Sequence, residues 1–87
     1  MTWKIEFDAH AEKQFSKLDR HIQKEIINYL KAVAAKENPK NSGKPLSANM
    51  KGLWRFRYSN YRIVCQFIDQ ELIILVLKVA HRKHVYE

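Results

Sequence analysis

Six consecutive apolar residues constrain the fold of this chain more than any other feature: Leu72-Ile73-Ile74-Leu75-Val76-Leu77. A strand with one face in water alternates apolar and polar residues, whereas an uninterrupted apolar run is typical of a strand covered on both faces. The run is much shorter than the roughly 20 residues that cross a bilayer. We therefore predict that residues 72–79 form a central strand of a sheet, and we expect no membrane association.

Periodicity along the rest of the chain predicts the other elements. Residues 3–7 alternate apolar and polar side chains, which is the pattern of a half-buried strand. Apolar residues spaced three and four apart predict one helix over residues 9–18. The same spacing predicts a second helix from Asp19 to about Glu37, because Asn38-Pro39 disfavours helical geometry. Residues 38–50 contain both prolines and are predicted to be a loop.

Two more strands, over about 53–58 and 61–68, precede the apolar run. The predicted order is β-α-α-β-β-β. This order indicates an α+β fold, in which an N-terminal helical hairpin packs on a mostly antiparallel four-stranded sheet. A chain of 87 residues has a core too small to divide, so we predict one domain over residues 1–87.

Several functional classes are disfavoured by composition. The single cysteine excludes an internal disulfide, and the sequence has no Cys/His pattern for a metal ion and no glycine-rich phosphate loop. We therefore expect neither a metal nor another cofactor. The first residues, Met1-Thr2-Trp3-Lys4-Ile5-Glu6, contain no apolar leader, and a cytoplasmic location is the simplest expectation.

Charge is distributed unevenly along the chain. Residues 1–37 hold seven basic and six acidic side chains, a balance of +1, whereas residues 38–87 hold nine and three, a balance of +6. A basic excess confined to one half of a protein favours binding to a polyanion such as nucleic acid. The alternative is an ordinary basic surface in contact with solvent.

The predicted hairpin over residues 53–68 concentrates this charge. If Ser59-Asn60 is a two-residue turn, Arg57 lies directly opposite Arg62, and Arg55 lies on the same face. Like charges directly opposite across two strands destabilise a sheet by about 0.2–1 kcal/mol. An anionic ligand bound between the arginines would explain why the pairing is present, since guanidinium groups suit phosphate oxygens. Extension of the side chains into solvent is the alternative.

A second cluster follows the last strand: His81-Arg82-Lys83-His84-Val85-Tyr86. Histidine can transfer protons near neutral pH, arginine can neutralise a phosphorane, and tyrosine can stack on a base. These residue types would suit ribonuclease chemistry without a metal. A frayed basic terminus is the alternative.

The chain resembles the RelE/ParE superfamily of bacterial toxins, and more closely the RelE-type mRNA interferases. Three segments carry this resemblance: Gly52-Leu53-Trp54-Arg55-Phe56-Arg57, Tyr61-Arg62-Ile63-Val64 and His81-Arg82-Lys83-His84-Val85-Tyr86. The resemblance implies a toxin of a type II toxin–antitoxin system that cleaves mRNA in the ribosomal A site. In that reaction the ribose 2′-OH attacks the adjacent phosphate.

The resemblance also implies roles for individual residues. Arg62 and Arg82 match phosphate-binding arginines that stabilise the transition state, and Tyr86 matches a tyrosine that orients the reacting nucleotide. Arg55 and Arg57 stand where some members carry lysine, and arginine is a poor general base. A base, if one is needed, is then His81 or His84. We assign the remaining cations to RNA binding: Lys44, Lys51, Lys83 and, again, His84. The loop lysine Lys40 would extend the arginine face.

Two other functions share this fold and stay open: inhibition of DNA gyrase, as by ParE-type toxins, and an inactive member that only binds its antitoxin. Beyond the ribosome and mRNA, the resemblance implies a RelB-like antitoxin as partner. A protein of net charge +7 should be bound by an acidic, amphipathic antitoxin segment that is disordered when free.

Overall fold

A computed structural model of the chain describes residues 2–46 and 52–81. These residues form a two-helix layer on one side of a five-stranded sheet, so the predicted α+β fold is confirmed. The helices are α1 (Ala9–Ser16) and α2 (Arg20–Ala34), and the strands are β1 (Lys4–Phe7), β2 (Lys44–Pro45), β3 (Leu53–Tyr58), β4 (Tyr61–Ile68) and β5 (Ile73–His81). The sheet has five strands instead of the predicted four because the region expected to be a loop contains the two-residue strand β2.

The helix ends are fixed by identifiable contacts. The Asp8 side chain caps α1, with its Oδ1 accepting a hydrogen bond of 2.8 Å from the backbone N–H of Ala11. Helix α2 ends at Ala34, three residues before the predicted end at Glu37. The Ala34 carbonyl accepts a hydrogen bond of 3.0 Å from the N–H of Trp3, so the residue preceding β1 binds the last turn of α2. Neither described helix is long and apolar enough to cross a membrane.

The strands lie in the order β1-β5-β4-β3-β2. β1 pairs with β5 in parallel, whereas the three other pairings are antiparallel. The apolar strand β5 therefore lies in the interior of the sheet between β1 and β4, as the sequence predicts. A central strand buried on both sides would have no half-exposed residues, however, and Ile73, Leu75 and Leu77 are only partly buried.

The hydrophobic core lies between the helices and one face of the sheet. Ile26 and Leu30 of α2 are fully buried, as are Ile63 of β4 and Ile74 of β5. Each such side chain stabilises the fold by about 1.5–3 kcal/mol relative to exposure. We call this side of the sheet the helix-facing side and the opposite side the outer face.

A β-bulge interrupts the pairing of β4 with β5 between Val64 and Cys65. Cys65 pairs with Val76, but Val64 pairs with Lys78, so Leu77 is an extra residue on β5. Because side chains alternate between the two faces of a strand, one extra residue moves every later side chain of β5 to the other face. The bulge therefore determines which residues near the end of β5 share a face with β4.

Candidate nucleic-acid interface

The β3–β4 hairpin has the register predicted from the sequence. Arg57 pairs with Arg62, Arg55 pairs with Val64, and Phe56 pairs with Ile63. Phe56 and Ile63 are buried on the helix-facing side, so the three arginines lie together on the outer face. The prediction that these strands place like charges side by side is confirmed.

Neighbouring strands extend this arrangement into two rows across the outer face. Strand pairing gives the first row as Lys44 (β2), Arg55 (β3), Val64 (β4) and Lys78 (β5). It gives the second row as Arg57, Arg62 and Ala80. With strands about 4.8 Å apart, the first row spans roughly 14 Å of backbone. We define the basic face as its five cations: Lys44, Arg55, Arg57, Arg62 and Lys78.

The basic face is not uniformly exposed. Arg57 and Lys44 are exposed, whereas Arg55, Arg62 and Lys78 are half-buried, and the Nη1 nitrogen of Arg62 is buried. Val64, in the middle of the first row, is only 4% exposed although its side chain lies on this outer face. The long aliphatic stems of the neighbouring cations are suited to cover it. The face thus combines two exposed cations with three half-buried ones.

A small cavity of about 160 Å³ adjoins the basic face. A Cβ atom on Gly43 would lie 2.8 Å from the Arg55 carbonyl oxygen and 2.9 Å from the Phe56 ring, which is closer than real Cβ contacts. The absence of a side chain at Gly43 therefore lets the segment around β2 run close against β3, which brings Lys44 beside Arg55. The cavity is lined by Ser42, Gly43, Lys44, Arg55 and Arg57.

His81 does not join the basic face. It pairs with Tyr61 on the helix-facing side, and the two rings meet edge to face with centroids 5.7 Å apart. Simple alternation from Ile74 would place residue 81 on the outer face, but the bulge reverses this. His81 therefore lies on the opposite side of the sheet from Arg62, and its expected role in proton transfer stays a prediction.

Comparison with known proteins identifies the family. The sequence model described as the ParE toxin of type II toxin–antitoxin systems matches residues 5–86. The chain belongs to the RelE/ParE superfamily of toxins. It is 33% identical over 88 residues to a putative RelE-like toxin protein of Escherichia coli, covering 95% of this toxin and 86% of that protein. It is 26% identical over 86 residues to the toxin RelG of Mycobacterium tuberculosis, covering 99% and 98%.

Solved structures support the same fold. The RelBE2 toxin–antitoxin complex of Mycobacterium tuberculosis contains a chain that matches this toxin with a TM-score of 0.85 at 23% identity, covering 94% of this toxin and 100% of that chain. A mutant of Escherichia coli RelE in the free state matches with a TM-score of 0.76 at 26% identity, covering 99% and 90%. The RelE-like arrangement of helices and sheet expected from the sequence is therefore confirmed.

Several expected site residues of the toxin lie outside the described residues, and their roles remain predictions: Lys51, Arg82, Lys83, His84 and Tyr86. Within residues 2–46 and 52–81, no group of three or more His, Cys, Asp or Glu side chains could hold a metal ion.

Lys40 does not extend the arginine face of the toxin as expected. Its Nζ lies 3.1 Å from Asp69 Oδ1 and 5.4 Å from the centre of the Phe67 ring. Phe67 alternates with Cys65 and therefore belongs to the helix-facing side of β4. Lys40 thus makes a structural ion pair and a cation–π contact away from the basic face.

Cys65 is buried in the core, and burial raises the pKa of its thiol to about 12. The thiol is therefore protonated at neutral pH and cannot act as a nucleophile. The Tyr58 hydroxyl donates a hydrogen bond to Glu25, and this bond is the main cause that raises the pKa of Tyr58. Desolvation contributes less. Both groups are neutral at neutral pH and add no charge to the toxin surface.

A larger cavity, of about 620 Å³, lies in the helical layer. It is far from the basic face because the helices cover the other side of the sheet. Its lining includes three basic and two apolar side chains, but no carboxylate or histidine that could act in catalysis. The lining residues are Phe15, Arg20, Gln23, Lys24, Ile27, Asn28 and Lys31.

Lys78 is the member of the basic face that sequence reasoning missed. The available signal was a single charged residue that follows six apolar ones in a strand assigned to the sheet interior. A lysine at such a position needs an exit to solvent. Its face could not be assigned from alternation because the bulge changes the alternation one residue earlier.

Proposed function

We propose that this toxin is an endoribonuclease that cleaves mRNA in the A site of the ribosome. The observation that carries this proposal is the basic face, above all the direct pairing of Arg57 with Arg62. Such a pairing is unfavourable for the fold alone, and a bound phosphate would turn it into a favourable set of charge-assisted hydrogen bonds. The likeness to RelE-like toxins supports the same activity.

The proposed reaction transfers a phosphoryl group within the mRNA. The ribose 2′-oxygen forms a bond to phosphorus, the bond from phosphorus to the 5′-oxygen breaks, and the products are a 2′,3′-cyclic phosphate and a free 5′-OH. Arg62 would stabilise the charge that develops on the non-bridging oxygens, and Arg55 and Arg57 would bind neighbouring phosphates. Arg82 and Tyr86, which lie outside the described residues, would complete the site.

Proton transfer must come from a group other than these arginines. The proton of the 2′-OH has to leave, and the 5′-oxygen has to gain one, but guanidinium groups are not deprotonated in proteins. Because His81 lies on the helix-facing side, we assign this role to His84 or to groups of the ribosome. The proposed reaction needs no cofactor.

The partners of the proposed activity are the ribosome, mRNA and an antitoxin, all met in the cytoplasm. Two of the solved structures with this fold are toxin–antitoxin complexes. One is the RelBE2 complex of Mycobacterium tuberculosis, and the other is the intact RelBE complex of Escherichia coli, in which the similar chain matches with a TM-score of 0.70. These neighbours and the family support a RelB-like antitoxin for this toxin. Its binding segment should be acidic, which would match the net charge of +7.

The proposed activity can be tested with mRNA in translating ribosomes and with the same mRNA alone. We expect cleavage only in the presence of ribosomes. The Arg62→Ala variant should cleave about 10²–10³ times more slowly, because it lacks one donor to the transition state. Lys4→Gln is the matched control, since Lys4 is an exposed cation of the same sheet that pairs with Ile73 far from the basic face. Arg62→Ala protein that stays folded and cleaves at the wild-type rate would contradict the proposal.

A second candidate function is inhibition of DNA gyrase without nuclease activity. It is favoured by one observation, namely that the matching family model describes a ParE toxin. A supercoiling assay with purified gyrase distinguishes the two functions. Inhibition of gyrase by a protein that leaves ribosome-bound mRNA intact would replace the first proposal with this one.

A further inference from the structure

We infer that Lys78 is a phosphate-binding residue of the RNA site, held there by the β-bulge of β5. This inference rests on the proposed RNA-directed function and adds to the site a residue that neither the arginine pattern nor the family resemblance assigns.

The bulge is the first observation that supports it. Ile74 and Val76 are fully buried on the helix-facing side, so continued alternation would direct residue 78 into the core as well. An ammonium group in that core would lose its hydration and is strongly disfavoured. The extra residue, Leu77, instead places Lys78 opposite Val64 on the outer face. Bulges that redirect a side chain are common beside active sites.

The position of Lys78 relative to Arg62 is the second observation. Arg62 pairs with Ala80 and Val64 pairs with Lys78, so Lys78 is the diagonal neighbour of Arg62 on the same face. Diagonal neighbours are about 7–8 Å apart, which is within reach of long side chains. Ala80, the direct partner of Arg62 on this face, has a small side chain. A phosphate held by Arg62 is therefore accessible to the Lys78 ammonium group as well.

Charge is the third observation. On the other side of Val64, the first row continues with Arg55 and Lys44, and neither row contains an acidic residue. Lysine acts on phosphate as a compact point charge, whereas arginine forms a planar fork. Lys78 would thus add a point charge to the arginine contacts. It lies on the interior strand β5, at one end of the first row. The ligand that fits this row is the backbone of single-stranded RNA.

The test compares four full-length proteins: wild type, Lys78→Gln, Lys78→Arg and the control Lys4→Gln. Binding of an unstructured, fluorescently labelled RNA oligonucleotide is measured by anisotropy over a series of salt concentrations. Loss of one phosphate contact with single-stranded nucleic acid should lower the slope of log affinity against log salt by about 0.7. The affinity advantage of wild type over Lys78→Gln should then shrink by about 2.6-fold between 50 and 200 mM salt.

Lys78→Arg should keep the wild-type slope, and so should Lys4→Gln. Thermal unfolding monitored by circular dichroism establishes that all four proteins are folded. In the ribosome assay Lys78→Gln should slow cleavage about tenfold to a hundredfold, the loss expected for one charge-assisted hydrogen bond. A Lys78→Gln protein with the wild-type salt slope and cleavage rate would overturn the inference.

The two levels of the proposal fail in different ways. If wild-type protein cleaves mRNA and Arg62→Ala does not, but Lys78→Gln equals wild type, only the role of Lys78 is refuted. If wild-type protein neither binds RNA nor cleaves it, the RNA-directed function and the inference are both refuted.

Discussion

Replacement of Arg57 by glutamine should stabilise the fold while it impairs cleavage. Arg57 is exposed and lies directly opposite Arg62, with Arg55 two positions away on the same face. In water, unit charges at roughly 6 and 7 Å repel each other by about 0.7 and 0.6 kcal/mol. Screening at 0.1 M salt, where the Debye length is about 10 Å, reduces the sum of the two to about 0.7 kcal/mol.

This repulsion should be visible as a change in melting temperature. For a domain of this size, 1 kcal/mol corresponds to about 4–8 °C, so Arg57→Gln should raise Tm by about 3–6 °C at 0.1 M salt. At 1 M salt the Debye length falls to about 3 Å and the same repulsion to about 0.15 kcal/mol. The difference between the two proteins should therefore nearly disappear at high salt.

The assay is thermal unfolding of wild type, Arg57→Gln and Lys4→Gln at both salt concentrations, followed by cleavage of ribosome-bound mRNA. Lys4→Gln removes an exposed cation whose cross-strand partner is the uncharged Ile73, so its Tm should change little. The reasoning is refuted if Arg57→Gln melts at or below the wild-type temperature at 0.1 M salt, or if it is more stable and cleaves mRNA as fast as wild type.

Two further predictions concern the core and the β2 segment. The pKa of Cys65 is raised from its ordinary value of 9.0 to about 12, so the folded protein retains this proton where the unfolded chain loses it. The free energy of unfolding should thus fall between pH 9 and 12 by up to about 1.4 kcal/mol per pH unit, and urea titrations of Cys65→Ala should lack this part of the decline. Equal slopes in both proteins would contradict it. Gly43→Ala should destabilise the protein by about 1–3 kcal/mol in urea, because the new methyl group would collide with Arg55 and Phe56. Unchanged stability would show that β2 can move away from β3 without loss.

The sequence was sufficient to predict the β3–β4 hairpin in residue-level detail. Alternating aromatic and arginine residues flank a two-residue turn, so only one register buries the aromatic side chains and leaves Arg57 beside Arg62. The φ angle of +52° at Ser59 shows that the turn uses a left-handed residue, as tight hairpins do. Local signals of this kind fix a local pairing.

The sequence was not sufficient for β5 and β2. In Leu72–Leu77 both faces of the strand carry apolar residues, so the pattern contains no sign of the bulge, and the faces of Lys78 and His81 could not be assigned. β2 consists of Lys44 and Pro45, and two residues that include a proline give no recognisable strand pattern. In both cases the deciding contacts come from a neighbouring strand.

The parallel pairing of β1 with β5 has a consequence for synthesis of the protein. Lys4 pairs with Ile73, so two residues 69 positions apart must meet before the sheet is complete. Contacts of such long range form late, because a large loop has to close first. While a ribosome is still translating the β5 codons, the nascent chain lacks Lys78, the parallel partner of β1 and much of the surface that covers the helices. A chain with this topology therefore completes the outer face of its sheet, and with it the proposed RNA site, only after β5 has been synthesised and has paired with β1 and β4.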